Sequence, residues 1–359
     1  MSIGVLSLKN FRNLTDTQFD FRNPLSFIIG NNGTGKTSVL EAVYFLSLGK
    51  SFRTNRWRQL IQKEKSSFEI TASFGKQSDW NHFVGVKKAL DDTFVVKLNG
   101  DSVTSRSLLA EQLPVQVLAP DACNLIDGTA LERRRFVDWG VFHENSAFLD
   151  SWKKSEKTLQ QKNALLKGHS DVQQLRLWNK LWCDVSLEVL GYRDLYFKKL
   201  LKGIEDIAHY FQFKRELSLD LYPGWPVNRV LEELLDEGIE QEFKQGYSHY
   251  GCHRADLKIK VDGQLAKETL SRGFRKLLNV WLRLAQLNVL LKKGINKAVV
   301  LLDDLSSEMD EENRRSVYRL LSDLKVQVIA SGITFDDVVR DYYPDSEIGL
   351  FHVEQHQLG

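Results

Sequence analysis

The run Gly30-Asn31-Asn32-Gly33-Thr34-Gly35-Lys36-Thr37 constrains this chain more than any other segment. It has the spacing G-x-x-x-x-G-K-[ST] of a phosphate-binding loop, whose backbone N–H groups wrap the β-phosphate of a nucleotide. Leu25-Ser26-Phe27-Ile28-Ile29 before it is short, apolar and bounded by Pro24 and Gly30, which predicts a buried strand. Ser38 through Leu46 after it has helical spacing and length. A glycine turn that merely joins two elements is the plainer alternative, and the strand–loop–helix context argues against it. Gly30, Gly33 and Gly35 keep side chains off the phosphates, and the helix N-terminus adds partial positive charge. Lys36 is a point cation for the β- and γ-phosphates, and the Thr37 hydroxyl is placed to ligate Mg²⁺. Asn31, Asn32, Thr34 and Ser38 complete the expected nucleotide-binding set.

Composition sets outer bounds. The chain has 359 residues, 42% of them hydrophobic and 27% charged, as in an ordinary globular protein of one large domain or two. With 49 basic and 47 acidic residues the formal net charge is +2, so nucleic-acid binding would have to come from local patches. No apolar run approaches the ~20 residues of a membrane span, and the N-terminus lacks the build of a signal peptide. Cys123, Cys183 and Cys252 are far apart and show no C-x-x-C pairing, so neither a disulfide framework nor a zinc site is indicated. The expected location is cytoplasmic.

The first hundred residues are β-rich. Phe68 to Phe74 alternates, as does Thr93 to Leu98 before the turn Asn99-Gly100-Asp101. From about Glu132 the texture becomes helical, with segments 132–140, 148–167, 173–217 and 227–245. β character returns at Ala255 to Gly263, a helix follows from Ser271, and two apolar strands come last, Ala298–Leu302 and Val326–Ala330. The expected fold is α/β: an ATPase head of mixed sheet with flanking helices and a β-rich N-terminal part, interrupted by a compact α-helical lobe. The head takes 1–125 and 246–359, the lobe 126–245. No heptads run over many turns, which excludes a long coiled-coil arm.

Two further elements belong with the loop. Asp303-Asp304 end the apolar run Ala298–Leu302, which reads as a central parallel strand. An acidic pair there sits beside the phosphate loop in a doubly wound sheet. Asp303 would hold Mg²⁺ through water, and Asp304 would polarise the attacking water. A solvated Asp-Asp turn is the alternative. Ser271-Arg272-Gly273 open a long amphipathic helix, with Ser271 suited to the N-cap. Ser271 and Gly273 at that helix start would bind a phosphate held by another subunit. Loop first, Ser-x-Gly helix later, acidic strand about thirty residues on is the layout of ABC-type ATPases.

With these motifs in place the chain resembles the RecF family, bacterial recombination-repair ATPases with an ABC/SMC-like head. The stretches that carry this are Leu8–Leu14, Gly30–Glu41, Lys50–Arg53, Val115–Asp121, Arg133–Asp138, Gln161–Leu166, Gly251–Leu257, Ser271–Gly273 and Asp303 to Asp310. The resemblance implies that Arg12-Asn13 lie near the nucleotide and that Val115–Asp121 holds the Q-loop, with Gln116 as a catalytic residue beside Asp304. It implies ATP and Mg²⁺ as ligands, slow DNA-dependent hydrolysis, and an ATP-induced homodimer. It further implies binding to gaps and single/double-strand DNA junctions, partners of the RecO and RecR type, recombinase loading, and service to fork recovery and the SOS response. The chain departs from the family pattern at Phe274, where Gln is usual, at Cys252 for Pro, at Met309 for Leu, and in lacking a histidine after Ala330-Ser331.

DNA contact needs clustered cations. Lys50, Arg53, Arg56 and Arg58, with Trp57 among them, form one candidate. Lys153, Lys154 and Lys157, with Lys162, form a second, and Lys198, Lys199 and Lys202 a third. Each alone also reads as a solvated helix face. One of Arg133-Arg134-Arg135 is expected to pair with Asp138, and His253 reads first as a structural histidine. A transporter-type ABC subunit is the main competing function. The Leu8–Asn13 opening and the large insert argue against it.

Overall fold

The computed structural model describes residues 2–76, 79–103, 107–119, 125–168, 171–295 and 297–354. It divides into two compact units, Met1–Cys123 with Ile207–Gln212 and Arg272–Gly359, and Asn124–Asp206 with Phe213–Ser271.

The first unit is built on two sheets. One has five parallel strands, in the order Ile348–His352, Leu25–Ile29, Gln327–Gly332, Val299–Asp303, Val115–Leu118. The Gln327–Gly332 strand is buried at every position, as is Val299–Leu302, which is why they read as apolar runs without alternation. The other sheet has six antiparallel strands, in the order Thr17–Asp20, Ser2–Lys9, Ser67–Lys76, Asp79–Ala89, Phe94–Leu98, Asp101–Val103. Parallel and antiparallel strands are thus segregated. The last hairpin turns at Asn99 (φ 52°) and Gly100 (φ 94°), the left-handed pair that an Asn-Gly turn supplies at little steric expense.

The helix Lys36–Leu48 packs into one core with both sheets, so it is buried on nearly all sides and shows no polar stripe. Gln327 ties the sheets together. Its Oε1 accepts from Ile3 N (2.7 Å), and its Nε2 donates to Ile3 O (2.8 Å) and Phe21 O (2.5 Å). The helix Arg272–Lys292 is continuously buried from Leu277 to Leu290 and packs on Val115–Leu118. The short segment Ile207–Gln212 belongs here too: Tyr210 donates to Asp323 (2.6 Å) and Phe211 stacks on Trp281.

The second unit holds the helices Ala130–Glu144, Phe148–Lys167, Leu231–Glu237 and Ile239–Gln245, and nearly all of the 36-residue helix Val172–Ile207. It is not purely helical. The strand Leu217–Tyr222 pairs with Asp256–Val261, which pairs with Gln264–Leu265. The alternation Leu217, Leu219, Leu221 against Ser218 and Asp220 signals that strand, which falls in the gap between the expected helical segments 173–217 and 227–245. This pairing also moves a boundary. The sequence reading returns to the head at 246, whereas the units divide at Ser271/Arg272, because Asp256–Val261 bonds to its own unit.

Arginine and lysine side chains brace this unit from within. Arg133 grips Asp256 with two bonds (2.7 and 2.9 Å), Arg134 donates to Ala255 O (2.7 Å), and Arg193 grips Asp138 (2.8 and 3.0 Å). The partner of Asp138 is therefore Arg193 and not a member of the Arg133–Arg135 run. Lys162, fully buried, bonds Glu242 (2.8 Å) and Ser248 (2.9 Å), which removes it from the DNA candidates. His253 Nε2 pairs with Ser248 O (3.1 Å) and its ring meets the Trp182 edge. Burial, with Arg254 nearby, lowers its pKa to about 4.

Candidate functional site

The register of the parallel sheet builds the site. Ile29 stands opposite Gly332, and Ser331 stands opposite Asp303, so three strands end side by side. The loop leaves the sheet at Gly30, where a Cβ would come within 2.4 Å of Val353 O. Gly33 (φ 83°) and Gly35 (φ 116°) take left-handed backbone that side chains disfavour. Lys36 is 7% exposed, and its Nζ donates to Gly30 O (2.7 Å) and Asn31 O (2.9 Å), which curls it across the loop mouth. Thr34 Oγ1 closes a turn on Asn31 O (2.9 Å).

Thr37 reaches the acidic strand directly. Its Oγ1 donates to Asp303 Oδ1 at 3.0 Å. The same oxygen accepts from Ser331 Oγ at 2.7 Å. Ser331 in turn accepts from Asp304 N at 3.3 Å, while Ser331 O accepts from it at 3.1 Å. Sequence reasoning missed Ser331. Its place one strand over from Asp303 becomes legible once the parallel register is known. Asp304 is a non-glycine residue in left-handed conformation (φ 49°, ψ 49°), a sparsely populated state of the kind that collects at functional sites. Its carboxylate is part-exposed and has no hydrogen-bond or ion-pair partner among the described residues.

Arg12 and Asn13 approach the loop from the first hairpin. Asn13 Nδ2 donates to Gly33 O (3.3 Å) and Thr34 O (2.9 Å), and its Oδ1 accepts from Ser38 Oγ (3.2 Å). Asn13 therefore props the loop from behind. Arg12 makes a two-pronged bond with Glu41 of the loop helix (2.8 and 2.7 Å). Glu41 is fully buried and also receives Ser51 Oγ, with Arg53 at 3.7 Å. The structure thus gives Arg12 a carboxylate partner on the loop helix, where the family resemblance placed it near the nucleotide.

Gln116 is a correction. It sits opposite Val300, three register positions short of Asp303, or about 10 Å along the strand. It is 3% exposed, and its Nε2 has no hydrogen-bond partner among the described residues. That buried interior position is no place for a catalytic side chain. Pro120 and Asp121 of the expected Q-loop lie outside the described residues.

Ser271, Arg272, Gly273 and Phe274 are all exposed, Phe274 to 48%. A Cβ added at Gly273 would meet nothing within 4 Å, and its backbone is helical. Nothing within this chain requires glycine there.

The donor set fits Mg²⁺–ATP. A loop rich in backbone N–H, a lysine already bonding oxygens, and a hydroxyl–carboxylate pair are what a triphosphate and its hard cation need. Among the described residues there is no cluster of three or more His, Cys, Asp or Glu able to hold a metal ion alone.

Of the DNA candidates, Lys50, Arg53, Arg56, Arg58, Lys153, Lys154 and Lys157 are exposed. Arg58 covers the Trp57 ring at 5.0 Å from one contact and Lys88 covers it at 4.3 Å from another, so Trp57 is occupied by cations. Lys199 is tied to Glu144.

The fold and site define an ABC/SMC-type P-loop ATPase head. The family model described as "RecF/RecN/SMC N terminal domain" matches residues 2–357, and "DNA replication and repair protein RecF" of Pseudomonas fluorescens is 33% identical over 359 residues, covering 100% of this chain and 98% of that protein. The RecF protein of Vibrio atlanticus is 33% identical over 358 residues, covering 100% and 99%. Among solved structures, "the recombination mediator protein RecF-ATP in RecFOR pathway" superposes with a TM-score of 0.83 at 22% identity over 93% of this chain and 92% of that one. An SMC head bound to the C-terminal winged-helix domain of ScpA gives 0.56 at 18% identity over 95% and 92%. The chain belongs to the RecF/RecN/SMC N-terminal domain family, and within it to the RecF proteins. No helix among the described residues is long and apolar enough to cross a membrane.

Proposed function

We propose that this chain is an ATP-dependent DNA-binding protein of recombinational repair and replication-fork recovery, in which ATP joins two copies and hydrolysis separates them. The observation that carries this reading is Gly273, an exposed glycine with open space where its side chain would stand. In this reading it is one half of a site whose other half is Lys36 with Thr37 and Asp303. Bound Mg²⁺–ATP supplies the phosphate charge that a second copy can recognise. Lys36 would neutralise that charge, Thr37 would hold the cation with Asp303 through water, and Asp304 would orient the attacking water. Ser271 and Gly273 of the second copy close over the phosphates from the other side.

The kinship with DNA replication and repair proteins of the RecF type supports the cellular role. The exposed cations at Lys50–Arg58 and Lys153–Lys157 support backbone contact with DNA at gaps and junctions. RecO- and RecR-type partners follow from the same kinship, as do a weak DNA-dependent ATPase activity, recombinase loading and SOS induction, all in the cytoplasm.

The test is sedimentation of the full chain with Mg²⁺–ATP, beside titration of duplex, single-stranded and gapped DNA at two salt concentrations. The parent dimerises and tightens on gapped DNA with ATP. Gly273→Arg stays monomeric yet binds ATP, since the substitution points into solvent. A Gly273→Arg chain that dimerises normally sinks the two-copy reading.

A further inference from the structure

In the two-copy reading, the surface that meets a second copy comes from two segments far apart in sequence, and an ion pair joins them. Lys276 lies one helical turn after Gly273, on the helix Arg272–Lys292. Its Nζ pairs with Glu308, the last residue of the short helix Leu305–Glu308 that begins right after Asp304. The two side chains are only 16% and 23% exposed, so the pair is screened far less than a surface bridge.

The Leu305–Glu308 turn is fixed at its other contacts. Arg314 donates to Met309 O at 2.8 Å and pairs with Asp336 at 2.9 Å, and Asp310 caps the next helix through Asn313 N at 2.9 Å. Ser307 Oγ bonds Asp304 O at 2.9 Å, which ties the turn to the strand end. Glu308 is the side of this turn that faces the helix Arg272–Lys292.

We propose that Lys276–Glu308 is a positioning strut that makes the Gly273 turn and the Asp304 turn one rigid body, so that a second copy meets both in fixed register. Part of this rests on the two-copy reading above; the strut itself does not. Without the pair, each segment is still folded, but their relative placement is looser. A second copy must then order both on association, which weakens dimerisation without touching the phosphate loop.

The test compares the parent with Lys276→Glu, Glu308→Lys, the double exchange, and the milder Lys276→Met in case a charge reversal fails to fold. Amide exchange on each monomer reads the strut directly. The single variants exchange faster across 271–276 and 305–309, and the double exchange restores protection. Sedimentation with Mg²⁺–ATP reads its use: single variants lose roughly tenfold in dimer affinity, the double regains most of it, and monomer affinity for a fluorescent ATP analogue stays at the parent value. Unchanged exchange in the single variants, or a double exchange no better than the singles, overturns the proposal. A parent that never dimerises with ATP sinks the two-copy reading instead, while the exchange data still decide the strut.

Discussion

Thr37 Oγ1 and Asp303 Oδ1 are 3.0 Å apart across 266 residues of sequence. This hydrogen bond brings together the hydroxyl and the carboxylate to which the proposed function assigns one cation. It joins the loop helix to the strand two places away in the sheet, with Ser331 on the strand between them as a third member.

Thr37→Ala removes one donor from Asp303 and leaves Ser331 in place, so stability falls by only about 1 kcal/mol. The larger effect is on metal dependence. In the parent, chelating Mg²⁺ weakens ATP binding strongly, and in Thr37→Ala the same chelation changes little. Calorimetric titration with and without EDTA measures this. An equal EDTA effect in both proteins contradicts a cation at Thr37.

Gln116→Leu separates interior position from catalysis. The amide nitrogen is buried without a partner, a state that costs roughly 1–3 kcal/mol. Leucine of similar size relieves it, so the melting temperature holds or rises. ATP turnover stays at the parent rate. A collapse of turnover with stability intact would return Gln116 to the catalytic set.

Lys162→Met strands Glu242 in the core and costs about 3–5 kcal/mol, whereas Lys162→Met with Glu242→Leu regains most of that loss. Urea unfolding of the parent, both singles and the double closes the cycle. If the Lys162→Met single costs under about 1 kcal/mol, the buried pair is not what braces this unit.

His253 makes stability pH-dependent. Its folded pKa is about 4, against 6.5 in the unfolded chain, because burial disfavours the charged ring. The unfolded state binds the proton first, so the contribution is intact above pH 6.5. It is lost as pH falls toward 4, by about 3 kcal/mol in all. Denaturant melts between pH 7 and 4 read the slope, and His253→Gln flattens it. A slope unchanged in that variant assigns the effect to other groups.

Legibility in the sequence followed locality. The phosphate loop, the acidic strand and the Asn99-Gly100 turn were readable because each depends on neighbours in the chain. Gln116 was misplaced because its distance from Asp303 depends on strand register, which a lone apolar run does not reveal. The strand Leu217–Tyr222 fills the gap between the expected helical segments 173–217 and 227–245, where its short alternation is flanked by helix-forming sequence on both sides.

The amino-acid sequence by itself determined the strand–loop–helix form of Leu25–Leu48, since left-handed backbone at Gly33 and Gly35 and the flanking periodicities are set by sterics within a few residues. Tertiary structure alone decided which carboxylate Thr37 meets, that Lys162 is buried on Glu242 while Lys153, Lys154 and Lys157 face water, and that Lys276 reaches Glu308. The reason is physical: a charged side chain looks the same in any sequence, and its burial and partner exist only once distant segments have packed around it.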